Sequence, residues 1–406
     1  MIIKARYALV APGDLRRDVQ LETDGNRILS ISEGYVHGAP PCDIDLGNAV
    51  LTPGFTNSHA HLELEFCQGQ TSFNGSFVDW LQHVRDLKKQ RGNQLSTFPL
   101  DSIRQLAMSG CTTVFDHHTV DLEWDRIELT GLRHIPLLEC FEFNNDDPDG
   151  ERIRNRARFG YAPHAPYTAS LAVARTCRRL ATEAHVPLSV HMSEFNGEIE
   201  FIRNGQDSEI QHLHELAGTS NEHFSGTGMS PVQFYGDNGI LDEHTLAIHV
   251  NYLSDGDIAV LQRMRPTVVY CPRSHAYFGH PQHPLLELLD AGINVALGTD
   301  SLASNDMLSP LHEASLVRDN FPGLPLQALF SMVTRNGLAV INAQHELGSL
   351  CTSYIADLAA FRIPDDTADD FDSVFGAVLD NGRSCLTICN GRIIHIEVSA
   401  GVQVHG

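Results

Sequence analysis

The sequence predicts an α/β fold whose centre is a closed (β/α)8 barrel, and three observations point there. Apolar runs of strand length alternate with helical patterns through the middle of the chain, both ends read as strands and hairpins, and 406 residues suit one barrel with a smaller accessory domain.

From the N-terminus, residues 2–10 alternate as a strand does, and residues 28–31 repeat the style beyond the turn Asp24-Gly25-Asn26. The middle then carries the apolar runs 112–116, 136–140, 188–191, 246–249, 267–270 and 295–300, with helical patterns such as 170–185 and 284–291 between them. Strands this apolar belong to a parallel sheet covered by helices. Two loops, 144–151 and 218–231, are too long to be simple connectors, and the Gly-, Ser- and Thr-rich second one reads as a cover for a pocket. Residues 356–361 and 384–396, around the turn Asn390-Gly391, return to β pattern, and the acidic stretch 365–372 between them reads as a solvated loop.

A formal net charge of −23 repels polyanions and excludes nucleic acid as a natural partner. It also weakly disfavours a phosphorylated substrate. The N-terminus lacks the apolar run of a signal peptide, and no apolar stretch is long enough to span a membrane. Nine scattered cysteines without a Cys-x-x-Cys pair suit reduced thiols, so the reading is a cytoplasmic protein with a small-molecule partner and no membrane partner.

The strongest chemical signal is His59-Ala60-His61 after the strand-like 51–58. In extended chain, side chains two apart share a face, so both imidazoles can address one cation. Such a pair alone is more often chance or packing. Its weight rises because His191, His249 and Asp300 each close another apolar run. Barrel enzymes gather strand C-termini on one face, which makes convergence a better explanation than accident.

These residues resemble the amidohydrolase superfamily, and within it the group of cytosine deaminase, S-adenosylhomocysteine and methylthioadenosine deaminases, aminodeoxyfutalosine deaminase and triazine chlorohydrolases. The resemblance is carried by Pro53-Gly54-Phe55 before His59-Ala60-His61, then Pro163-His164-Ala165-Pro166-Tyr167-Thr168, His191-Met192-Ser193-Glu194, His249, Cys271-Pro272-Arg273-Ser274 and Gly298-Thr299-Asp300-Ser301 with Ser304-Asn305. It implies a TIM-type barrel at 53–347 beside a small composite β-sandwich made by both termini, 1–52 and 348–406.

The same resemblance implies one divalent metal, zinc with iron or manganese as alternatives, on His59, His61, His191 and Asp300. No Lys stands in the stretch 160–167, where two-metal relatives carry one, so a single ion is expected. A set of this kind leaves a position for water, whose pKa the cation lowers towards ~7. Glu194 is then the expected proton shuttle, with a surface helix residue as the plain alternative. His249 would orient the attacking water, and Asp300 would pass a proton to departing ammonia. His164 borders the pocket or serves the core.

For the substrate, the resemblance implies an aminopurine nucleoside. Asp79 is a candidate for ribose hydroxyls or merely a helix start, and Trp80 a candidate stacking wall. Glu63 and Ser304 are further candidate contacts. Residues 61–63 and 271–278 look most like aminodeoxyfutalosine deaminase, with Arg273 placed to pair a substrate carboxylate. His275 departs from the Asn common at that position. Rival readings are a triazine chlorohydrolase or aminohydrolase and a non-catalytic binding protein on the same fold. Relatives commonly form homodimers.

Overall fold

The computed structural model describes residues 1–34, 42–141, 150–217 and 224–397, together with the backbone of 403–404. Strands β1 (Ile2–Ala11), β2 (Asp14–Asp24) and β3 (Arg27–Glu33) form an antiparallel meander, and β4 (Ile44–Asp45) and β5 (Ala49–Pro53) pair with β1 in parallel. Only Gly54 separates β5 from the next sheet. A Cβ at Gly54 would lie 2.2 Å from Thr112 Oγ1, so the crossover demands glycine.

Eight parallel strands follow in sequence order: β6 (Phe55–Ala60), β7 (Cys111–His118), β8 (Arg133–Cys140), β9 (Gly160–Pro163), β10 (Leu188–Met192), β11 (Thr245–His249), β12 (Thr267–Tyr270) and β13 (Val295–Leu297). Every residue of β7 and of β11 is buried, as strands enclosed on both faces require. A parallel bridge between Ala60 and Asp300 brings the first strand against the residues following the last. The barrel of the prediction is therefore present.

The predicted helix at 170–185 is Leu171–Ala184 with its caps: Ser170 Oγ accepts from Val173 N at 3.3 Å, and His185 turns left-handed at φ 54°. Val173, Ala174, Cys177, Leu180 and Ala181 bury its inner stripe. Helix α1 (Phe77–Arg91) is capped likewise by Ser76 and buries Phe77, Val78, Trp80 and Val84.

Beyond the barrel the chain rejoins the first sheet. Strand β14 (Leu358–Arg362) runs antiparallel to β5, and β15 (Leu386–Cys389) and β16 (Arg392–Ile396) extend the edge, while β17 (Gln403–Val404) pairs with β4. The accessory unit is a mixed sheet built from both termini, in the order β16-β15-β14-β5-β1-β2-β3. Its own core gathers Ile3, Val10, Leu21, Leu51, Leu358 and Leu386, whereas Tyr7, Leu9 and Val50 join the core that continues into the barrel. Each such Leu or Ile contributes about 1.5–3 kcal/mol on burial.

One element departs from the sequence reading. The acidic stretch leads into a helix, Phe371–Asn381, between β14 and β15. Asp370 caps it by accepting from Ser373 N at 2.9 Å, and Phe371, Val374, Phe375, Val378 and Leu379 bury its inner face. The acidic side chains are the solvated approach to a helix N-terminus, where negative charge is favourable. Of the two long loops, residues 144–149 and 218–223 lie outside the described residues. No helix among the described residues is long and apolar enough to cross a membrane.

Candidate active site

The C-terminal ends of the barrel strands bring the ligand-type side chains together. His59 and His61 lie at the end of β6, His191 within β10, His249 at the end of β11 and Asp300 just after β13. His59 Nε2 stands 3.5 Å from Asp300 Oδ1 and His61 Nε2 stands 3.7 Å from the same oxygen. The rings of His59 and His191 are 4.9 Å apart at their centres. Ligand atoms of His59, His61 and Asp300 form one compact group, and those of His59, His191 and His249 an overlapping one. Close approach of β13 makes this possible: a Cβ on Gly298 would sit 2.8 Å from His59 Cβ. The backbone is strained here, with non-glycine φ values of 51° at Ser193, 72° at His249, 48° at Val250 and 57° at Asp300. Such conformations cost on the order of 1 kcal/mol or more each and persist where surroundings enforce them.

Hydrogen bonds on the far sides of the rings aim the lone pairs inward. His191 Nδ1 donates to His164 O at 2.9 Å, which leaves Nε2 as its ligand atom. His59 Nδ1 meets His117 Nδ1 at 3.0 Å, and His117 Nε2 meets Ser189 Oγ at 2.8 Å. A proton on His59 Nδ1 and another on His117 Nε2 satisfy that chain and leave His59 Nε2 bare. That atom is buried without a hydrogen-bond partner. Asp300 Oδ2 accepts from Ser274 Oγ at 2.6 Å and Ser304 Oγ at 2.8 Å, leaving Oδ1 towards the imidazoles.

A divalent cation fits these residues. Burial, then the surrounding imidazoles, pushes His59 and His61 well below the usual histidine range, so both present neutral lone pairs. Burial works against the Asp300 carboxylate, but the neighbouring imidazoles and its two hydroxyl donors outweigh it and hold the pKa low. Lone pairs and a carboxylate oxygen facing one another at 3.5–3.7 Å repel unless a cation lies between them, and ligands about 2.0–2.1 Å from zinc stand roughly this far apart.

Beside this cluster lies the proton-handling pair. Glu194 Oε1 is 3.3 Å from His249 Nε2, and Tyr167 OH donates to Glu194 Oε2 at 3.3 Å. Burial first, then the charges of Asp300 and Glu198, pushes the Glu194 carboxyl well above its ordinary range. Burial lowers His249 to about 3, so it is a neutral partner at physiological pH. Glu198 anchors the turn by accepting from Ser193 N at 2.9 Å and Glu194 N at 2.8 Å. Asn251 Nδ2 donates to Glu194 O at 2.9 Å, and His283 Nε2 donates to His249 O at 3.0 Å. His275 lies behind them, with Nδ1 at 3.0 Å from Asn251 Oδ1.

A cavity of about 650 Å³ opens from the cluster towards α1. Leu64, Phe77, Trp80, Leu81, Val84 and Phe141 supply an apolar wall, with His61, His191, Glu194 and Asp300 at the polar end. This is the composition of a small-molecule site. Trp80 and His164 both line it; His164 Nδ1 is engaged with Thr168 Oγ1 at 2.6 Å, and its ring stacks on Phe141 at 4.1 Å.

Four sequence candidates for substrate contact fall elsewhere among the described residues. Asp79 is exposed in the first turn of α1 and outside the cavity wall. Glu63 is buried under α1, bound by Lys88 and by Thr119 N and Oγ1, each at 2.7 Å, so its oxygens are already committed. Arg273 lines a separate cavity of about 500 Å³ and is held by Asp306, 2.6 Å from Nη2. Ser304 is turned onto Asp300. For Glu63, Arg273 and Ser304 a tertiary neighbour takes the group that sequence reasoning had offered to substrate, whereas Asp79 faces solvent.

Two residues of the site escaped sequence reasoning, His117 and Glu139. Glu139 is 4% exposed, lines the cavity, and stands 3.9 Å from Nδ1 of both His61 and His191. Burial pushes its carboxyl well above the ordinary range. Both obey the rule that singled out His191 and Asp300, a ligand-type residue at the end of an apolar barrel strand.

The comparisons agree with this architecture. Residues 50–394 match the amidohydrolase family. A 5-methylthioadenosine/S-adenosylhomocysteine deaminase of Pyrococcus furiosus is 29% identical over 397 residues, covering 89% of this chain and 86% of its own. A 5'-deoxyadenosine deaminase of Methanothermobacter thermautotrophicus is 27% identical, covering 94% and 90%. Among solved structures, the aminofutalosine deaminase of Helicobacter pylori in complex with methylthio-coformycin superposes with a TM-score of 0.81 at 20% identity, over 97% of this chain and 99% of that one, a likeness of fold. With its barrel, its converging histidines and a family match over most of its length, the chain belongs to the amidohydrolase family.

Proposed function

We propose that this chain is a hydrolytic deaminase of adenosine-type nucleosides, adding water at the amino-bearing carbon of the purine and releasing ammonia to leave the oxo form. The carrying observation is the placement of Glu194, 3.3 Å from His249 at the polar end of an apolar-walled cavity and beside the His59, His61, His191 and Asp300 cluster. Relatives named as methylthioadenosine, S-adenosylhomocysteine and 5'-deoxyadenosine deaminases support the substrate class.

His59, His61, His191 and Asp300 would hold the ion, taken as zinc. When bound, the cation supplies a water of lowered pKa and stabilises developing negative charge. The rest falls to the chain's own groups. Glu194, with its raised pKa, is suited to take a proton from the attacking water and return it to a ring nitrogen. Neutral His249 would orient the nucleophile, and Asp300 would take the remaining proton of the added hydroxyl and pass it to the departing amine, which leaves as ammonia while the carbon becomes the oxo form. Trp80 and Phe77 offer faces for the base, and His164 Nε2 is the ring nitrogen left for a ligand. All nine cysteines are free, which favours a reducing, cytoplasmic setting.

Purified protein supplied with zinc should convert adenosine, 5'-deoxyadenosine or methylthioadenosine to the hypoxanthine nucleoside, followed by the ultraviolet shift of the base and by ammonia release. If no adenine nucleoside is turned over while a triazine is, the substrate assignment is wrong.

A further inference from the structure

We infer that Glu139 is a substrate-binding residue, its carboxyl accepting a hydrogen bond from an N–H or O–H donor of the nucleoside in the cavity. This rests on the nucleoside reading above and adds to it a named contact.

The observations converge on one side chain. Glu139 is the penultimate residue of β8 and lines the cavity together with His61 and His164. It is 4% exposed, yet among the described residues nothing donates a hydrogen bond to its buried Oε1. Burying a carboxyl without donors is unfavourable, so a donor arriving in the cavity is the natural complement.

Other uses of the residue are closed by its neighbours. His61 Nδ1 stands 3.9 Å from Glu139 Oε2 and His191 Nδ1 3.9 Å from Oε1, both beyond hydrogen-bond reach. His191 Nδ1 carries the proton donated to His164 O, so it has no lone pair to share with Glu139 on a second ion. His61 turns its other nitrogen, Nε2, towards Asp300. The cation nearest in the wall, Lys88, is engaged by Glu63 and by Thr119 Oγ1 at 2.9 Å. Glu139 is thus an acceptor that the folded chain leaves open where substrate must pass.

The nucleoside offers two kinds of donor, the ribose hydroxyls and the amino group of the base. The test compares wild type, Glu139→Ala and Glu139→Gln on adenosine, its 2'-deoxy and its 3'-deoxy analogues. It reads kcat and KM, nucleoside affinity by calorimetry, bound zinc per chain and Tm. The alanine variant is expected to keep its zinc and its Tm while KM and Kd rise about 10- to 100-fold, with kcat changed less. Glutamine, which keeps an acceptor oxygen, should recover part of the loss. If a hydroxyl is the donor, deleting it weakens wild type but not Glu139→Ala; if neither deletion couples, the amino group is the donor. Affinity within twofold of wild type in Glu139→Ala overturns the assignment, and so does loss of zinc in that variant, which would make Glu139 a ligand. Wild type that binds nucleosides without turning them over defeats the deaminase reading alone, since the binding comparison still judges Glu139; wild type that binds none defeats both.

Discussion

Glu194 shows how much of the proposed chemistry rests on one environment. Burial, then the charges of Asp300 and Glu198, outweighs the lowering effect of its one hydroxyl donor, Tyr167, and raises its proton affinity well above that of an ordinary carboxylate. Replacing it by Gln preserves shape and removes the exchangeable proton. Glu194→Gln should retain bound zinc and lose about 10²–10⁴-fold in kcat, measured by nucleoside turnover and metal analysis. Near-wild-type turnover would place the shuttle elsewhere. At this scale the sequence was informative wherever a ligand-type residue closed an apolar run, which is why His59, His61, His191, His249 and Asp300 were legible. It was uninformative where a side chain's partner is chosen by the fold. Nothing local to Arg273 announces Asp306, and nothing local to Glu63 announces Lys88, so both were read as substrate contacts. His117 and Glu139 were missed although they satisfy the strand-end rule, because their strands were read only as sheet.

Among the elements, β13 carries the packing requirement that bears directly on a metal ligand. Gly298 lets it approach β6, with Thr299 N donating to His59 O at 2.9 Å and to Asn57 Oδ1 at 3.1 Å. A methyl group there meets His59 Cβ at 2.8 Å and His59 N at 3.0 Å, both on a strand that cannot yield without moving a ligand. Gly298→Ala should therefore keep the overall helix and sheet content while weakening zinc affinity more than tenfold, read by circular dichroism and by chelator competition. Unchanged zinc affinity would mean that the strand has more freedom than its contacts indicate. Elements of this kind were legible as apolar runs, and 170–185 was legible as a helical pattern whose end residues, Ser170 and His185, the structure shows to be the caps. The Phe371–Asn381 helix was not, since its acidic approach resembles a loop until the buried Phe371, Val374, Phe375 and Val378 stripe is recognised as helical.

Across the whole molecule, buried titratable groups pull stability in opposite directions with pH. Burial pushes the Glu198 and Glu313 carboxyls up to about 8, so the folded chain holds these protons more tightly than the unfolded one and loses stability as pH rises towards 8. Burial lowers His249 and His283 to about 3 and His280 to about 4, so the unfolded chain holds more protons below the ordinary histidine value of ~6.5, and stability rises with pH up to that point. Above ~6.5 the histidine contribution is complete and the carboxyl contribution continues. The metal-free protein should therefore melt on the order of 5 °C lower at pH 8 than at pH 6.5 by calorimetry, and Glu313→Gln should flatten that slope. A melting temperature that climbs over this interval would contradict the burial of these carboxyls as acids. At this scale the barrel and the joining of both termini were legible from pattern and resemblance, whereas the continuity of the terminal sheet depends on pairings between β5 and β14, far apart in the chain, as with Leu358 opposite Pro53.

The central claim is that four residues from three separate barrel strands, β6, β10 and β13, share one cation. Diffraction from zinc-loaded crystals, recorded on either side of the zinc absorption edge, tests it most directly. The account predicts a single strong anomalous peak per chain within about 2.0–2.2 Å of His59 Nε2, His61 Nε2, His191 Nε2 and Asp300 Oδ1. A peak elsewhere, or none in zinc-loaded protein, would contradict it.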